Sequence, residues 1–271
     1  MANRNIKLFA KTTNPLHVRQ RGIAGCPLPA AVAAVTRSCP QQLQAMVQET
    51  KGQSLVSWFD DETPRTRFTA NRMITVKFHG WSVRLTPFLY FTSGNRLRFA
   101  SSTDGAGYVS YIEKAYVMLK GAHRYENLDA FKAANPLTVS RIMIDLVGPI
   151  NKIDFALNGT GEIFQNLTKP RETIPASRVK RVTTTLLRTF LKKANPTHLH
   201  PRATIATTRD SGPLLRQLNL VGFHTYAVLS FSNDRVRVFE AMRGTERTLS
   251  LHNFRRAFDT VLQARMHSQC R

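Results

Sequence analysis

The chain has 271 residues, 42% of them hydrophobic, which is enough for a sizeable core in one large domain or two lobes. Thirty-nine Lys and Arg against 17 Asp and Glu give a formal net charge of +22, a balance that favours contact with nucleic acid, anionic membrane or an acidic protein. No apolar run has membrane-spanning length, and residues 1–14 lack the hydrophobic region and cleavage site of a Sec signal, so we expect neither a transmembrane segment nor Sec export.

The first half of the chain contains helical patterns around an extended patch. A proline in the first turn of a helix is tolerated, which predicts a helix beginning near Pro29. Residues 52–70 are polar and turn-rich. The other predicted elements are helices at about 41–51, Tyr108–Leu119 and Pro136–Leu146, and a hairpin that joins Ile74–Phe78 to Trp81–Leu85.

The second half is richer in extended patterns. Its predicted elements are a basic amphipathic helix at Arg178–Lys193, strands at Ala203–Thr207, Thr225–Phe231 and Val236–Phe239, and a terminal helix at Ser250–Arg265. This order predicts a two-lobed α+β protein. Because Gly and Pro cluster at 148–151, we place the boundary there, between a helical lobe with a β-hairpin at 1–150 and a β-rich lobe at 151–271.

Positive charge is densest at Lys169–Lys193. One interpretation is the solvated face of a helix that keeps the chain soluble. The other is a contact surface for nucleic acid or another anionic surface. The chain contains no recognised nucleic-acid-binding motif, so the second interpretation rests on charge alone.

The chain has three cysteines, Cys26, Cys39 and Cys270. A number that is both small and odd does not suit a framework of several disulfides. No pair of them has the spacing of metal ligands, and the eight histidines form no cluster with them. We therefore expect no metal site and no cofactor. A reducing location is the simpler expectation, either the cytoplasm or a compartment into which the chain is delivered, with a virion as an alternative.

Cys26 has the surroundings that a cysteine nucleophile needs. A thiolate is stabilised at a helix N-terminus, and Cys26 stands just before the helix predicted near Pro29. The glycines of the preceding run, Gly22-Ile23-Ala24-Gly25, allow a substrate to approach the backbone closely. Gln20, six residues upstream, could supply a side-chain N–H to an oxyanion.

His224 and Glu240 are the candidate base and its orienting carboxylate. His224 begins a predicted strand, and a short loop at Ser232–Arg235 leads into a second strand. That hairpin would bring Glu240 beside His224, where a carboxylate could accept the imidazole N–H and fix its tautomer. Each residue alone also has an ordinary interpretation, since single cysteines are often buried small hydrophobes and histidines at strand starts are often structural.

Several segments resemble the protease core of calpains, and they occur in the same order as in that family. The similar runs are VRQRGIAGCPLPAAVA at 18–33, the hairpin at 74–85, LRFASS at 97–102, IEKAYVMLKG at 112–121, IMIDLVG at 142–148 and LVGFHTYAV at 220–228. The resemblance covers about 16–260 and implies a papain-like fold, with a helical lobe carrying Cys26 and a β-rich lobe carrying His224.

The resemblance also implies a thiol endopeptidase that works through an acyl-enzyme. Cys26 would attack a carbonyl, the backbone N–H of Cys26 and the side chain of Gln20 would stabilise the oxyanion, and His224 would protonate the leaving group. The substrate would be a protein or peptide, and the positive charge of the chain favours an acidic one.

Three positions depart from the calpain pattern. Gly25-Cys26-Pro27 stands where the family has Asp-Cys-Trp. The run Asn-Pro-Trp-Gly, with its orienting Asn, is replaced by Glu240-Ala241-Met242-Arg243-Gly244, which makes Glu240 the candidate substitute. An acidic stretch after the hairpin is replaced by Thr86-Pro87-Phe88-Leu89-Tyr90, and because calcium prefers clustered oxygen ligands we expect no calcium activation.

Three alternatives to a peptidase remain open. A deamidase or transglutaminase on the same fold would share the site and differ in the acyl donor and acceptor. An inactive relative that serves as a basic scaffold is favoured by Pro27 and by the missing Asn-Pro-Trp-Gly. A nucleic-acid-associated structural protein, for example of a virus or phage particle, is favoured by the net charge of +22.

Overall fold

A computed structural model of the chain describes residues 6–21, 27–56, 68–89, 91, 97, 100–119, 139–154, 163–167, 180–181, 183–266 and 270. Its helices are α1 (Pro27–Ser38), α2 (Pro40–Met46), α3 (Tyr108–Leu119), α4 (Val139–Val147), α5 (Thr184–Lys192), α6 (Pro213–Gln217) and α7 (Leu251–Ala257), and a 3₁₀ turn covers Pro15–His17. Within these ranges, no helix is long and apolar enough to cross a membrane.

The strands are β1 (Val18–Arg19), β2 (Val47–Val56), β3 (Phe68–Phe78), β4 (Trp81–Leu85), β5 (Ser101–Ser102), β6 (Ile150–Asp154), β7 (Ile163–Leu167), β8 (Lys180–Arg181), β9 (Arg202–Thr208), β10 (Thr225–Ser232), β11 (Arg235–Glu240), β12 (Thr245–Ser250) and β13 (Phe258–Arg265). The predicted α+β class is confirmed.

The largest sheet has eight strands in the order β12-β11-β10-β9-β13-β6-β7-β8, and every one of them begins at Ile150 or later. Two smaller sheets, β2-β3-β4 and β1-β5, are built from earlier residues. The sheets therefore segregate along the chain, although the predicted division into two lobes at residue 150 remains a prediction.

Helix α1 packs directly on the central strands β9 and β10 of the large sheet. Ten of its twelve residues are buried, and four of these are alanines, whose small side chains let the helix lie close to the strands. The opposite face of the sheet is covered by α5 and α7, whose Phe190 and Phe254 share a core with Val228 of β10. The central strands are consequently buried on both faces.

Local predictions hold where the turn chemistry is explicit. The hairpin β3–β4 turns at His79-Gly80, where Gly80 has φ +78°. The hairpin β10–β11 turns at Asn233-Asp234, whose φ values of 49° and 54° are those of a type I′ turn and suit Asn and Asp. The helix at Tyr108–Leu119 and the strands β9, β10 and β11 are also confirmed.

Four element predictions need correction. The helix predicted for 41–51 ends at Met46, because the chain continues as β2, and the turn-rich stretch at 52–70 lies partly in β2 and β3. The basic helix begins at Thr184 instead of Arg178. The terminal helix ends at Ala257, and Phe258–Arg265 is the strand β13. Because β13 lies between β9 and β6 with Val261–Ala264 buried, its sequence lacks the alternation that marks a half-exposed strand.

Two of the three cysteines are paired, in a single disulfide that the sequence did not predict. Cys39 and Cys270 form a disulfide, with Cα atoms 5.2 Å apart across 231 residues of sequence. Only the fold brings them together, since Cys39 is the N-cap of α2 and Cys270 packs against the core that contains α1. Disulfides persist in oxidising surroundings, so this bond weighs against the expected reducing location, which stays a prediction.

The buried charges of α3 hold the helix in place. The Glu113 carboxylate accepts from the backbone N–H of Ala100 at 2.8 Å. The Lys114 ammonium donates to the carbonyls of Thr86 and Phe88 at 3.3 and 2.8 Å, and burial lowers its pKa to about 8. The run that resembles the calpain helix is thus explained by structural contacts between α3 and the segments beside it.

Candidate functional site

Three of the four predicted site residues meet at one corner of the large sheet. The backbone N–H of Gln20 donates to the carbonyl of Ala241 at 3.0 Å, which places Gln20 against the residue that follows Glu240. His224 directly precedes β10 and Glu240 ends β11. We call Gln20, His224 and the run Glu240–Gly244 the site corner.

Close packing between Arg19 and Gly244 fixes this approach of the two chain segments. The Arg19 guanidinium carbon lies 5.8 Å from the centre of the Phe239 ring. A Cβ at Gly244 would stand 2.4 Å from that same carbon, and Gly244 also has φ +68°. Position 244 therefore favours glycine because of its left-handed backbone, and a side chain there would also displace the Arg19 guanidinium.

His224 and Glu240 face each other inside the protein. His224 Nε2 lies 3.7 Å from Glu240 Oε1, and the two side chains are only 7% and 2% exposed. Neither atom has a hydrogen-bond partner among the described residues. The separation is longer than a hydrogen bond, and catalytic hydrogen bonds are often long in the absence of substrate. The hairpin thus brings the carboxylate beside the imidazole as its sequence predicts.

The backbone of His224 is held by the end of β9. Thr208 Oγ1 accepts from the backbone N–H of His224 at 3.0 Å, and the backbone N–H of Thr208 donates to the His224 carbonyl at 2.9 Å. The residue before it, Phe223, has φ 49° and a side chain that is 76% exposed. A left-handed backbone at a bulky residue is unusual and tends to occur at functional sites.

Burial governs the protonation of the site corner. It lowers the pKa of His224 to about 4, with a smaller contribution from the Arg243 guanidinium, so the imidazole is neutral at neutral pH. Burial also raises the pKa of Glu240, while Arg243 and Arg247 act in the opposite direction. The pair combines a neutral imidazole that can accept a proton with a carboxylate beside its Nε2.

The fourth predicted residue, Cys26, lies outside the described residues. The residue after it, Pro27, is the first residue of α1, so the predicted helix after the cysteine is confirmed and begins slightly earlier than expected. The basic stretch 169–193 is described only in part. Within it, the Arg188 guanidinium donates to Asp234 at 2.8 Å, and Lys192 and Lys193 end α5.

Arg243 is a residue of the site corner that the sequence did not single out. Its Nε lies 3.8 Å from Glu240 Oε1, and its Nη1 donates to Asn219 Oδ1 at 3.5 Å. The sequence feature that could have pointed to Arg243 is its position three residues after Glu240. That spacing alone does not show that the two side chains approach each other, because their approach depends on the turn that follows β11. The backbone N–H of Gly244 donates to the Glu240 carbonyl at 2.8 Å and closes that turn.

A cleft of about 240 Å³ lies elsewhere, between α2, the β3–β4 turn and the end of α4, and none of the site-corner residues lines it. In the described ranges, no group of three or more His, Cys, Asp or Glu residues could hold a metal ion.

No protein-family model matches the chain, and a search of curated proteins returns no significant match. The chemistry of the site corner therefore carries the functional proposal.

Proposed function

We propose that the chain is a thiol peptidase of papain-like, two-lobed architecture, with Cys26 as nucleophile and His224 as base. The observation that carries this proposal is the 3.7 Å approach of His224 Nε2 to Glu240 Oε1, together with the contact of Gln20 with Ala241, the residue after Glu240. Residues about 200 positions apart in sequence, chosen for one chemistry, converge on one corner.

The geometry of the site corner supports different roles for the two imidazole nitrogens of His224. Nε2 faces Glu240, so a proton held there would be shared with the carboxylate and would fix the tautomer. Nδ1 is then the nitrogen that accepts the thiol proton from Cys26. Because the pKa of His224 is lowered to about 4, the resting pair would be a neutral thiol and a neutral imidazole rather than a preformed ion pair.

The proposed reaction proceeds in two balanced halves. As Cys26 sulfur bonds to the substrate carbonyl carbon, the thiol proton passes to His224, and the oxyanion is stabilised by the backbone N–H of Cys26 and the side chain of Gln20. The C–N bond then breaks and the amine leaves with the proton from His224. A water gives a proton to His224 and its oxygen to the acyl carbon, which releases the acid and the thiol.

An acidic substrate suits the charge around this corner. Arg243 and Arg247 act against the effect of burial on the pKa of Glu240, and Arg19 and Arg21 stand on either side of Gln20 in the sequence. Phe223 and Met242, 76% and 43% exposed, flank His224 and Glu240 and offer apolar contact surface. We expect preference for peptides that combine acidic and apolar residues.

Labelling with iodoacetamide tests the nucleophile directly. With Cys39 and Cys270 in a disulfide, the unreduced chain has Cys26 as its free thiol, so the rate of alkylation reports on that residue. Because His224 would take the thiol proton as the sulfur attacks, we expect Cys26 to be alkylated faster than an unassisted thiol, with a drop of about 10²-fold or more in His224→Ala. His252→Ala, which alters an exposed histidine of α7, is the matched control and should label normally.

Turnover distinguishes the peptidase from its alternatives. Incubation with a peptide library, followed by mass spectrometry, should show cleaved peptides that disappear in Cys26→Ala. Ammonia release without cleavage would instead assign a deamidase or transglutaminase. Alkylation of Cys26 that is slow and indifferent to His224→Ala, together with no turnover, would contradict thiol chemistry and leave a non-catalytic role.

A further inference from the structure

Three cations meet at the end of the large sheet that lies away from the site corner. Arg202 and Arg265 stand directly opposite each other in the β9–β13 pair. The backbone N–H of Arg202 donates to the Lys193 carbonyl at 2.8 Å, which brings the residue that caps α5 to the same place. We call Lys193, Arg202 and Arg265 the basic cluster.

The basic cluster contains no compensating carboxylate among the described residues. The buried Nε of Arg202 has no hydrogen-bond partner there. Burial and the neighbouring Arg265 both lower the pKa of Arg202, and burial, Arg202 and Arg265 lower the pKa of Lys193. These effects on the pKa values mean that the three charges are close enough to repel one another. Each of the three side chains is still partly exposed to solvent.

This arrangement costs stability in the free protein. Like charges directly opposite on paired strands repel each other, and a buried guanidinium nitrogen without an acceptor loses its hydration. The C-terminus of α5 attracts positive charge, which explains the position of Lys193. That effect is confined to the last turn of the helix, so it does not explain the two arginines on strands. A bound oxyanion would neutralise the repulsion between the two guanidinium groups.

The surroundings of the basic cluster favour a polyanion. Exposed Lys192 and His200 lie beside Lys193 and Arg202 in sequence, and Asp234, a carboxylate at this end of the sheet, is engaged by Arg188. A net charge of +22 provides the long-range attraction that a phosphate chain experiences. The cluster is about 20 Å from Thr208, at the other end of β9, if each residue adds ~3.3 Å.

We propose that the basic cluster of Lys193, Arg202 and Arg265 binds a backbone phosphate of a nucleic acid. Arg202 and Arg265 contact the phosphate oxygens through their guanidinium groups, and Lys193 adds a third positive charge. The site reads no base sequence, because phosphate contacts carry no sequence information. It is independent of the chemistry proposed for Cys26 and His224.

Fluorescence anisotropy with a labelled single-stranded oligodeoxynucleotide of mixed sequence tests the proposal across a range of NaCl concentrations. The double variant Arg202→Gln/Arg265→Gln should bind at least about tenfold more weakly. The magnitude of the slope of log K against log salt should fall by about 0.7, since the two arginines share one phosphate and each lost phosphate contact on a single strand removes ~0.7.

Arg216→Gln/Arg256→Gln is the matched control, because it removes two exposed arginines from α6 and α7 near the other end of β9. It should change binding by less than about twofold. Equal weakening by both double variants would show a response to net charge alone and overturn the assignment. Binding to phosphatidylserine vesicles without binding to the oligonucleotide would also overturn it.

Thermal unfolding separates binding from a structural role. Because Arg202 and Arg265 repel each other, the double variant should unfold at the same or a higher temperature than the native chain. A lower unfolding temperature together with weaker oligonucleotide binding would mean that the arginines support the fold, and the proposal would fail. Inorganic phosphate should compete only weakly with the oligonucleotide. It contacts the basic cluster alone, whereas the oligonucleotide is also attracted by the positive charge around the cluster.

Discussion

His224 carries a neutral imidazole at neutral pH, and Arg243 contributes to that state. Burial and the Arg243 guanidinium lower the pKa of His224 to about 4. If His224 acts as the base, the acid limb of kcat/KM against pH reports this value. Arg243→Gln removes one of the two causes, so the limb, expected near pH 4 in the native chain, should move to higher pH.

A pH–rate profile with a cleaved peptide, or with iodoacetamide where turnover is slow, measures that limb. Arg235→Gln is the matched control, since Arg235 is exposed at the opposite end of the same strand, β11. An acid limb that stays in place in Arg243→Gln would contradict the electrostatic role of Arg243 at the site corner.

The same imidazole should make the fold sensitive to acid. The pKa of His224 is about 4 in the folded chain and 6.5 in the reference state, so the unfolded chain takes up the proton first as pH falls. Stability is full above pH 6.5 and is lost on the way down to about pH 4, by up to about 3 kcal/mol.

Urea unfolding at a series of pH values in this window checks that loss. In His224→Gln, which cannot protonate, the part of the acid sensitivity due to His224 should disappear. His252→Gln, an exposed histidine, should leave the pH dependence unchanged. Identical pH dependence in the native chain and His224→Gln would mean that the buried environment of His224 is not maintained in solution.

At the scale of elements, α1 depends on small side chains. Ala33 is fully buried in a helix that packs on β9 and β10, and the segment before the helix contains Cys26. Ala33→Leu should destabilise the chain by about 1–3 kcal/mol because the added methyl groups push the helix from the sheet. Ala45→Leu places the same change on an exposed position of α2 and should cost less than about 0.5 kcal/mol.

Urea unfolding at neutral pH measures both variants, and iodoacetamide labelling reports whether the displaced helix also slows Cys26. Equal effects of the two substitutions would show that α1 is not packed as tightly as its burial implies. The comparison uses one chemical change at two environments, so differences in helix propensity cancel.

Elements whose cause is local could be predicted from the sequence. Asn233-Asp234 supplies the positive φ values of a type I′ turn, and the hairpin that joins His224 to Glu240 follows from it. The strand β13 could not be recognised, because it is buried on both faces between two cores and pairs with β9 and β6, which come from distant parts of the chain. Period alone does not separate such a strand from a buried helix.

At the scale of the whole molecule, the site corner shows the same limit. The proximity of Glu240 to His224 depends on one hairpin and could be predicted. The contact of Gln20 with Ala241 and the packing of Arg19 on Gly244 join segments more than 200 residues apart, and no local signal announces them. The disulfide between Cys39 and Cys270 belongs to this class as well.

That disulfide ties the end of the chain to the junction of α1 and α2, across the predicted lobe boundary at residue 150. It closes a segment of 231 residues, and restricting so long a loop in the unfolded chain predicts a large stabilisation. Cys270→Ser should therefore lower the free energy of unfolding by about 2–5 kcal/mol under non-reducing conditions.

Urea unfolding of Cys270→Ser and of the oxidised native chain measures this loss. The reduced native chain should lose the same free energy of unfolding as Cys270→Ser, because neither contains the bond. Cys26→Ser is the matched control and should leave stability within about 0.5 kcal/mol of the native chain. Equal stability of Cys270→Ser and the oxidised native chain would mean that the bond does not form or does not restrain the unfolded state. A bond that restrains the unfolded chain in this way would make the stability of the fold that carries the site corner depend on the redox state of the surroundings.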